Sequence, residues 1–523
     1  MVTGGLVRRL IGGGGGGGCT PSIIVVSGSL TTAGTIQLAC SPIPFGTYTY
    51  QWFKSTDNGA NYYPISGATS QSLTLTDATA DDNGRYVCDY TTGGITNSTG
   101  SKTVAIAYDY YVNSLTGDDG NDGTSTEEAW QTLSAITTSK IVDGETKTVF
   151  VAAGDYDTAD DYVLLATGAT SLTDSTLSIT FAPGCVMDGT NQPGNRNGVE
   201  QSGDSDWHLV IRGNGLTIQN YQVDGSGSPN GLGNRDSTTL TAYDVNCDAN
   251  EDNFSCHDSA NMNLYRCTGI NGTKGEFNHV ANCTVYAEDC EFIFSNSTIN
   301  GAFESGVTIE MNRCKILSAG DVERTWIGNN TTFNSCQIGS FTGRVEIVGD
   351  AGSCEINDSF VNVRMQGNVT VALVECYGSI AVRMRNGGSI TATRCVFDSE
   401  GLWDAMLFSD YNPGSMGTFA VIDCVINNYD ETAIGWFFNE TYAGYFEDSG
   451  NTVTYCNFFG NGTNIDADIL ATSADVSTGN ITTDPLLNDP AGSYLKSDWG
   501  YLTGSPCIGA GSTGGNIGFA AAS

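Results

Sequence analysis

Cysteines recur along the second half of the chain at nearly constant spacing and in one local pattern. Around most of them the sequence reads apolar-x-x-Cys-x-apolar, as in the segments MNRCKI and FNSCQI. The first seven lie 18 to 24 residues apart, and the last two follow at longer intervals. A fixed repeat of this length is typical of a solenoid. The repeating cysteines are Cys267, Cys290, Cys314, Cys336, Cys354, Cys376, Cys395, Cys424 and Cys456.

The residues around Cys314 indicate which kind of solenoid this is. Ile309 and Met311 keep the two-residue period of a strand, and Cys314 and Ile316 keep it again further on. Between the two pairs, at 312–313, the alternation slips by one residue. Because such a slip would turn every later side chain to the opposite face, the backbone must bend there. A bend at the same point of each repeat predicts the corner of a parallel β-helix.

Two roles are open for the repeating cysteines: a metal or redox site, or a column of inward-facing thiols with one from each coil. Zinc sites use paired C-x-x-C spacing, which the repeat lacks. Equivalent positions on successive coils lie about 4.8 Å apart, and a free cysteine packs like a small apolar side chain. We therefore expect a structural column of free thiols.

The composition is acidic and rich in turn-forming residues. The 523 residues include 67 glycines and carry a formal net charge of −37. A surface of this charge repels phosphate backbones, which argues against nucleic acid as a partner. No apolar run is long enough to span a membrane. The pattern indicates no cofactor, although such a chain would tolerate Ca²⁺.

Residues 1–19 contain seven consecutive glycines before Cys19. Glycine occupies the place where a secretory signal has its apolar stretch, so neither a signal peptide nor a lipoprotein anchor fits well. We expect this segment to be an N-terminal anchor, held by neighbouring proteins of a larger assembly. A flexible linker is the alternative.

Residues 20–107 form a separate block with strand-like alternation. Trp52 follows Cys40 by 12 positions, and Tyr86 lies two residues before Cys88 in a D-x-G-x-Y-x-C run that begins at Asp82. This combination resembles immunoglobulin-like domains of the I-set kind. The resemblance implies a β-sandwich in which Cys40 and Cys88 face each other, either bridged or reduced.

Residues 108–523 read as one continuous unit that resembles pectate-lyase-like right-handed β-helix proteins at both ends. It opens with a strand, a turn rich in Asp, Gly and Asn, and an aromatic-x-Thr-Leu motif at Trp130, Thr132 and Leu133. The resemblance implies a short cap helix here and an all-β fold: an Ig-like β-sandwich followed by a right-handed single-stranded parallel β-helix. The closing segment matches at Asp484, Pro485, Gly504, Ser505, Pro506, Ile508, Ala510 and Gly511.

Enzymes of this fold that cleave acidic polysaccharides use paired carboxylates or a basic residue beside Ca²⁺. The chain lacks the G-H-G and R-I-K runs of the pectinase hydrolases. Weaker candidates for lyase, hydrolase and Ca²⁺ chemistry remain. For none of them does the sequence favour a catalytic or metal site over ordinary strand and turn residues. They are Arg383 and Arg385; Glu251, Asp252, His257 and Asp258; and Asp118, Asp119 and Asp122.

The two longest intervals, between Cys395, Cys424 and Cys456, are rich in aromatic residues. In solenoids such insertions become loops on one face, often the binding face. Exposed aromatic rings beside polar groups suit contact with sugars or with another subunit, and packing under a long loop is the alternative. The residues expected to make such contacts are Trp403, Phe408, Tyr411, Trp436, Phe437, Tyr442 and Tyr445.

The combination of an anchor, an Ig-like module and a β-helix resembles the fibre, spike and head-decoration proteins of tailed bacteriophages. This implies a structural protein on the virion surface, joined to other virion proteins through residues 1–19 and adhering to host cell-surface polysaccharide. A homotrimer is the assembly that such spikes often form. The alternatives are a polysaccharide-degrading virion enzyme or lyase, and an extracellular adhesin on a bacterial cell surface.

Overall fold

The computed structural model describes most of the chain from residue 21 onward. The described residues are 21–28, 34–41, 47–55, 59, 61–78, 82–167, 172, 175–191, 197–203, 207–221, 230–250, 252–272, 275–294, 307–318, 325–326, 330–339, 345–349, 353–367, 370–384, 388–398, 407–409, 418–429, 432–434, 452–465, 477–487, 501–514 and 516–518. The N-terminal anchor predicted at residues 1–19 lies outside them.

The chain divides into two compact units. The first comprises the residues through Tyr111, with Asn121–Ala129 and Lys147–Phe150. The second comprises Val112–Gly120, Trp130–Thr146 and the residues from Val151 onward. The domain boundary at residue 107 stays a prediction.

The first unit consists of two antiparallel sheets around one core. Its largest buried side chain, Trp52, donates a hydrogen bond from Nε1 to the Ser70 carbonyl at 2.9 Å, which satisfies the polar end of the indole. The first sheet contains Ser22–Ser27, Gly34–Ser41 and Ser72–Ala78. The second contains Thr49–Ser55, Tyr63–Pro64, Gly84–Thr92, Ile95–Ser98 and Lys102–Val104.

The two cysteines of this unit meet in the core beside Trp52. Cys40 and Cys88 come from opposite sheets, are buried, and are free thiols within hydrogen-bonding reach of each other. The hydrogen bond with Cys40, together with burial, raises the pKa of Cys88. Tyr86 is buried and donates from Oη to the Asp82 carbonyl at 2.7 Å, closing the loop before its own strand.

The second unit is built from short strands that pair in parallel with the equivalent strand of the next coil. Its long parallel sheet is compatible with a parallel β-helix. We call the strands that precede each cysteine corner sheet A. After the two long strands His208–Gln219 and Thr239–Asp248, which run through the corner, sheet A contains Asn261–Tyr265, Thr284–Glu288, Thr308–Asn312, Asn330–Asn334, Ser353–Asn357, Thr370–Val374, Ser389–Thr393, Thr418–Ile422 and Thr452–Thr454.

The strands that follow the corner form sheet B, and a five-stranded parallel set forms sheet C. Sheet B contains Thr268–Ile270, Glu291–Phe294, Lys315–Ser318, Gln337–Ile338, Phe360–Gly367, Tyr377–Met384, Val396–Asp398, Val425–Asn427 and Asn457–Phe459. Sheet C contains Val163–Thr167, Val199–Gly203, Asn230–Asn234, Asp252–His257 and Gly275–Ala281. The remaining strands are Tyr110–Val112, Thr146–Val151, Asp155–Tyr156, Thr176–Phe181, Val186–Asp188, Thr325–Trp326, Val345–Gly349, Leu407–Ser409, Thr432–Ile434 and Thr463–Ile465.

Alternation along each strand of sheet A sets which side chains enter the core. In Thr308–Asn312, Ile309 and Met311 are buried, whereas Thr308 and Glu310 are exposed. The coils pair in register, so Ile309 lies beside Val285 of the preceding coil. Stacking equivalent apolar residues in this way builds a continuous core from a repeat that could not bury its own apolar face.

The corner between sheets A and B is a single residue in the left-handed region. Arg313 has φ +53°, which confirms the bend predicted at 312–313. A side chain in this region costs roughly 1–2 kcal/mol, and the structure repeats it on coil after coil. The equivalent residues are Asp244, Arg266, Asp289, Ser335, Asp358, Glu375, Arg394, Asp423 and Tyr455.

At most of these corners the next residue is a cysteine that faces inward and hydrogen-bonds to the coils beside it. The Cys314 amide donates to Cys336 Sγ at 3.4 Å, and Cys336 Sγ also lies 3.3 Å from the Met311 carbonyl. The thiols thus supply partners to backbone groups at a place where strand pairing is interrupted. We call this set the cysteine column. It contains Cys267, Cys290, Cys314, Cys336, Cys376, Cys395, Cys424 and Cys456, all buried and free.

One cysteine was assigned to the column wrongly. Cys354 lies inside the strand Ser353–Asn357 and pairs with Thr331 and Val371, not with the column. Its coil places Ser359 at the column position, where Ser359 Oγ accepts the Cys336 amide at 3.0 Å. The error arises because a buried strand position suits a cysteine as well as the column does.

The two ends of the second unit differ from the repeated coils between them. Where a cap helix was expected, the structure has the 3-10 helices Leu133–Ala135 and Thr138–Lys140; a third is Gly189–Asn191. At the other end, the closing segment packs Tyr501, Cys507 and Ile517 onto the side chains of sheet B. The sheet B residues in this cluster are Phe360, Tyr377, Val396 and Val425.

Candidate functional site on the outer face of sheet A

The outer face of sheet A carries polar side chains in rows, because every second residue of each strand points away from the core. One row consists of short hydroxyl and amide side chains that are in register on successive coils. Their spacing is about 4.8 Å from coil to coil. The row contains Thr239, Asn261, Thr284, Thr308, Asn330, Ser353, Thr370, Ser389 and Thr418.

Three tyrosines lie together near the N-terminal end of this face. Tyr243 and Tyr265 are in register on adjacent strands, and their rings stack with centroids 4.8 Å apart and planes 12° from parallel. Tyr286, on the following coil, packs against Tyr265 with centroids 5.7 Å apart. We call Tyr243, Tyr265 and Tyr286, with Arg212, the tyrosine patch.

Arg212 completes the stack on the side of the preceding coil. It is in register with Tyr243, and its guanidinium carbon lies 5.0 Å from the centre of that ring. Tyr243 is therefore enclosed between a cation and a second ring, an arrangement stabilised by cation–π and aromatic contacts. Both faces of the Tyr243 ring are occupied, so this tyrosine offers its ring edge and its hydroxyl group to a ligand.

Polar side chains beside the rings are held by hydrogen bonds. His208 Nε2 lies 2.8 Å from Thr241 Oγ1, and Asn263 Nδ2 donates to the same oxygen at 3.2 Å. Burial lowers the pKa of His208, so its imidazole is neutral at pH 7. The Tyr286 hydroxyl donates to Glu288 Oε2 at 3.0 Å.

The ionisation states of the patch follow from its surroundings. Burial, and then the neighbouring tyrosines and Glu288, raise the pKa of Tyr265, so its phenol stays protonated and can donate. Burial is also the largest cause of the raised pKa of Tyr286. The Arg313 guanidinium holds the pKa of Glu288 below its usual range. The patch therefore presents phenol donors beside an ionised carboxylate.

Ion pairs at the corners border the patch. Arg266 binds Asp244 through Nε and an Nη at 2.7 and 2.8 Å, and Arg313 binds Asp289 at 2.8 and 2.9 Å. Further along, Arg394 reaches one oxygen, Oε1, of the Glu375 carboxylate through Nε at 3.2 Å and an Nη at 3.1 Å. These pairs link the corner of one coil to the corner of the next. Their carboxylates are hydrogen-bonded to the arginine side chains.

The structure does not test the aromatic contact residues predicted from the long intervals. Trp403, Tyr411, Trp436, Phe437, Tyr442 and Tyr445 lie outside the described residues. Phe408 falls in the strand Leu407–Ser409, which pairs with Tyr377–Met384, but its side chain is not among those described. Their role as contacts stays a prediction.

The weaker catalytic candidates are described only in part. Asp252 is buried in sheet C, whereas Asp258 is exposed with φ +56°. Glu251 and Arg385 lie outside the described residues, and Arg383 is described in its backbone alone.

The aspartates of the opening turn hold their own loop together. Asp119 Oδ1 accepts the amides of Gln131 and Thr132 at 2.8 and 2.9 Å, and Asp118 accepts the Gly120 amide. Asp122 Oδ1 likewise accepts the backbone amide of Thr124 at 2.9 Å. Over the described ranges, no group of three or more His, Cys, Asp or Glu side chains is placed to hold a metal ion.

Sequence reasoning missed the tyrosine patch, although a signal was present. Tyr243 and Tyr265 are 22 residues apart, which is the length of their coil, and Tyr286 follows two positions before the residue in register with Tyr265. Tyr243 precedes the first cysteine of the repeat, because Val245 follows the corner on its coil. The cysteine frame therefore started one coil too late to include it.

Two comparisons with known proteins identify no relative. No protein-family profile matches the chain, and a search of curated proteins finds no match. Among the described residues, no helix has the length and apolar character needed to cross a membrane.

Proposed function

We propose that this chain is a structural and adhesive protein of a tailed-bacteriophage virion surface, whose outer sheet A face contacts host-surface glycan. The observation that carries the adhesive part is the tyrosine patch. It places phenol donors, a neutral imidazole and ionised carboxylates on a face whose backbone is fixed by in-register pairing. Sugar hydroxyls both donate and accept, so they suit such a mixture.

The fold proposed for the second unit is a right-handed single-stranded parallel β-helix. In-register parallel pairing, a left-handed residue at successive corners between sheets A and B, and the cysteine column all support it. A ladder of this kind is stiff, because each coil is hydrogen-bonded to both neighbours. Stiffness suits a surface that must present the same groups repeatedly along its length.

The first unit is proposed to be an Ig-like domain. Trp52 lies against Cys40 and Cys88 in the core between two antiparallel sheets. The bond from the Tyr86 hydroxyl to the Asp82 carbonyl is the contact expected of a tyrosine corner. Together with the proposed anchor at residues 1–19, this module supports the virion assignment through the resemblance described above.

The adhesive proposal can be tested on an array of purified bacterial capsular polysaccharides and O-antigens. We expect the full chain to bind at least one polysaccharide, and Tyr265→Ala to weaken that binding tenfold or more, about 1.4 kcal/mol. Tyr265→Phe keeps the ring stack and removes only the hydroxyl, so it isolates hydrogen bonding from packing. Tyr63→Ala, which removes an exposed tyrosine of the first unit, serves as the matched control.

Two results would contradict this proposal. Binding that is unchanged in Tyr265→Ala would show that glycan contact occurs elsewhere. Release of reducing ends or unsaturated uronates at catalytic rates from a bound polysaccharide would favour the enzyme alternative over adhesion.

A further inference from the structure

The row of side chains that passes through the tyrosine patch continues along sheet A as a row of amides. Asn312, Asn334 and Asn357 occupy equivalent positions on three successive coils, and Asn312 is in register with Glu288 on the coil before. We call Asn312, Asn334 and Asn357 the asparagine ladder. Since Glu288 is in register with Tyr265, the rings and the amides lie in one row on the outer face.

Hydrogen bonds hold the side chains of the asparagine ladder in fixed orientations. Asn334 Nδ2 donates to Asn312 Oδ1 at 2.9 Å, and Asn357 Nδ2 donates to Asn334 Oδ1 at 3.1 Å. The Asn312 side chain is also within hydrogen-bonding reach of the Tyr286 hydroxyl, which joins the ladder to the tyrosine patch. Because the amides are already oriented, a ligand that binds them loses less free energy to ordering side chains.

The asparagine ladder keeps hydrogen-bonding capacity on a face that is open to solvent. Its two ladder bonds use one amide hydrogen and one oxygen lone pair of Asn334, so one of each remains among the contacts of the described residues. Asn334 is half-buried, and Asn330 on the same strand is exposed. A donor and an acceptor on one accessible amide suit two neighbouring hydroxyl groups of a sugar.

Two carboxylates flank the asparagine ladder. Glu310 and Glu355 are exposed and lie two coils apart, about 9.6 Å, with Thr332 between them. Each accepts a hydrogen bond at 3.0 Å from the asparagine two residues later, and a neutral amide does not compensate the charge of a carboxylate. In a chain of net charge −37, this part of the face should repel acidic ligands.

The polar row has a defined length. Beyond Asn357 the equivalent positions carry neither an amide nor a charge, and they are Val374, Thr393 and Ile422. Before Arg212, the equivalent residue is the buried Thr180. From Arg212 to Asn357 the row crosses six intervals between strands, about 29 Å along the coil axis. A row of this length suits an extended chain better than a single sugar ring.

We propose that the tyrosine patch and the asparagine ladder form one binding track for a linear glycan without carboxylate, sulfate or phosphate groups. This inference rests on the proposed adhesive function and names its ligand class. The glycan lies along the coil axis and hydrogen-bonds to phenols of the patch at one end and to amides of the ladder at the other. Glu310 and Glu355 repel an acidic polymer from the same track.

Isothermal titration calorimetry on the full chain tests the proposal. The neutral probes are linear trisaccharides and hexasaccharides of glucose, mannose, galactose and N-acetylglucosamine, and the acidic probes are hexasaccharides of glucuronate, galacturonate and mannuronate. We expect one neutral hexasaccharide to bind at least about tenfold more tightly than its trisaccharide, because only the longer chain contacts both rings and ladder. The acidic hexasaccharides should bind at least about tenfold more weakly than that neutral one.

Two variants separate the track from the patch alone. Asn334→Ala should weaken binding of the neutral hexasaccharide about fivefold, because it removes the central amide of the ladder. Glu310→Gln keeps an acceptor for Asn312 and should reduce the preference for neutral over acidic hexasaccharides about threefold. Thr391→Ala, at an exposed side chain of the same face two coils beyond the ladder, is the matched control. Thermal unfolding of each variant checks that the fold is kept.

The outcomes distinguish the track from the adhesive function on which it rests. If the trisaccharide binds as tightly as the hexasaccharide and Asn334→Ala changes nothing, the tyrosine patch alone contacts glycan and the track is overturned, while adhesion stands. Tighter binding of an acidic hexasaccharide than of every neutral one overturns the ligand class. Absence of binding by every neutral hexasaccharide also overturns the track, and the array of bacterial polysaccharides then shows whether the adhesive proposal fails with it.

Discussion

The two units of this chain stabilise their cores in contrasting ways. In the first unit the core converges on one large side chain, Trp52, with Cys40 and Cys88 beside it. In the second unit no single residue is central, because each coil repeats the same corner and the same column position. Stability is concentrated in the first unit and distributed in the second, so substitutions should have unequal effects.

The largest effect is expected where the core is concentrated. Trp52→Ala removes a fully buried indole and should destabilise the first unit by about 3–5 kcal/mol. Denaturant unfolding, followed by near-ultraviolet circular dichroism, measures the change. Ile95→Ala, at a side chain that is 66% exposed in the same unit, should stay within about 0.5 kcal/mol. If Trp52→Ala lowered the free energy of unfolding by less than about 1 kcal/mol, the core of the first unit would not depend on this one side chain.

A smaller effect is expected for one member of the cysteine column. Cys336→Ala leaves the Cys314 amide without its acceptor and should cost about 1–3 kcal/mol. Cys336→Ser should cost less, because Ser359 already performs this role one coil later. The free energies of unfolding of the two variants provide the measurement. Equal losses would mean that the thiol acts by packing alone.

A stabilising change is expected at a corner. Ser335 has φ +53°, and glycine adopts this conformation without the cost borne by a side chain. Ser335→Gly should therefore stabilise the second unit by a net amount of about 0.5–1 kcal/mol. This net value allows for the lost hydrogen bond from Ser335 Oγ to Asp358. Differential scanning calorimetry can detect the shift. Destabilisation by the same amount would show that the corner is not strained.

The smallest expected effect is a pH dependence at the tyrosine patch. Because burial lowers the pKa of His208, the folded chain binds fewer protons there than the unfolded chain. The contribution of His208 to the free energy of unfolding should be fully present above the ordinary histidine pKa. It should fall as the pH drops below that pKa. His208→Gln should flatten the stability profile between pH 7 and pH 5.5. An identical slope in the variant would exclude this histidine as the cause.

The repeat carried more structural information than any single motif. The slip at 312–313 predicted a bend, and Arg313 adopts it. The same frame misplaced Cys354, since apolar-x-x-Cys-x-apolar also describes a buried strand with alternating side chains. Periodicity identifies coils well, but it cannot distinguish two inward positions that accept the same residue.

The tyrosine patch was harder to predict than the coils, for a physical reason. Tyr243 and Tyr265 meet only because they occupy equivalent positions on adjacent coils, and Arg212 joins them from a third. Coil-length spacing could have revealed the pair Tyr243 and Tyr265, whereas the contact of Tyr286 with Tyr265, two positions out of register, required coordinates.

The cysteine column is structural: its buried free thiols hydrogen-bond to the backbone at successive corners. Iodoacetamide labelling with mass spectrometry, in the absence of reductant, tests this claim. We predict no labelling of the column in the native chain and labelling of every column cysteine after denaturation. Labelling in the native state, or thiols that stay blocked after denaturation, would contradict the claim.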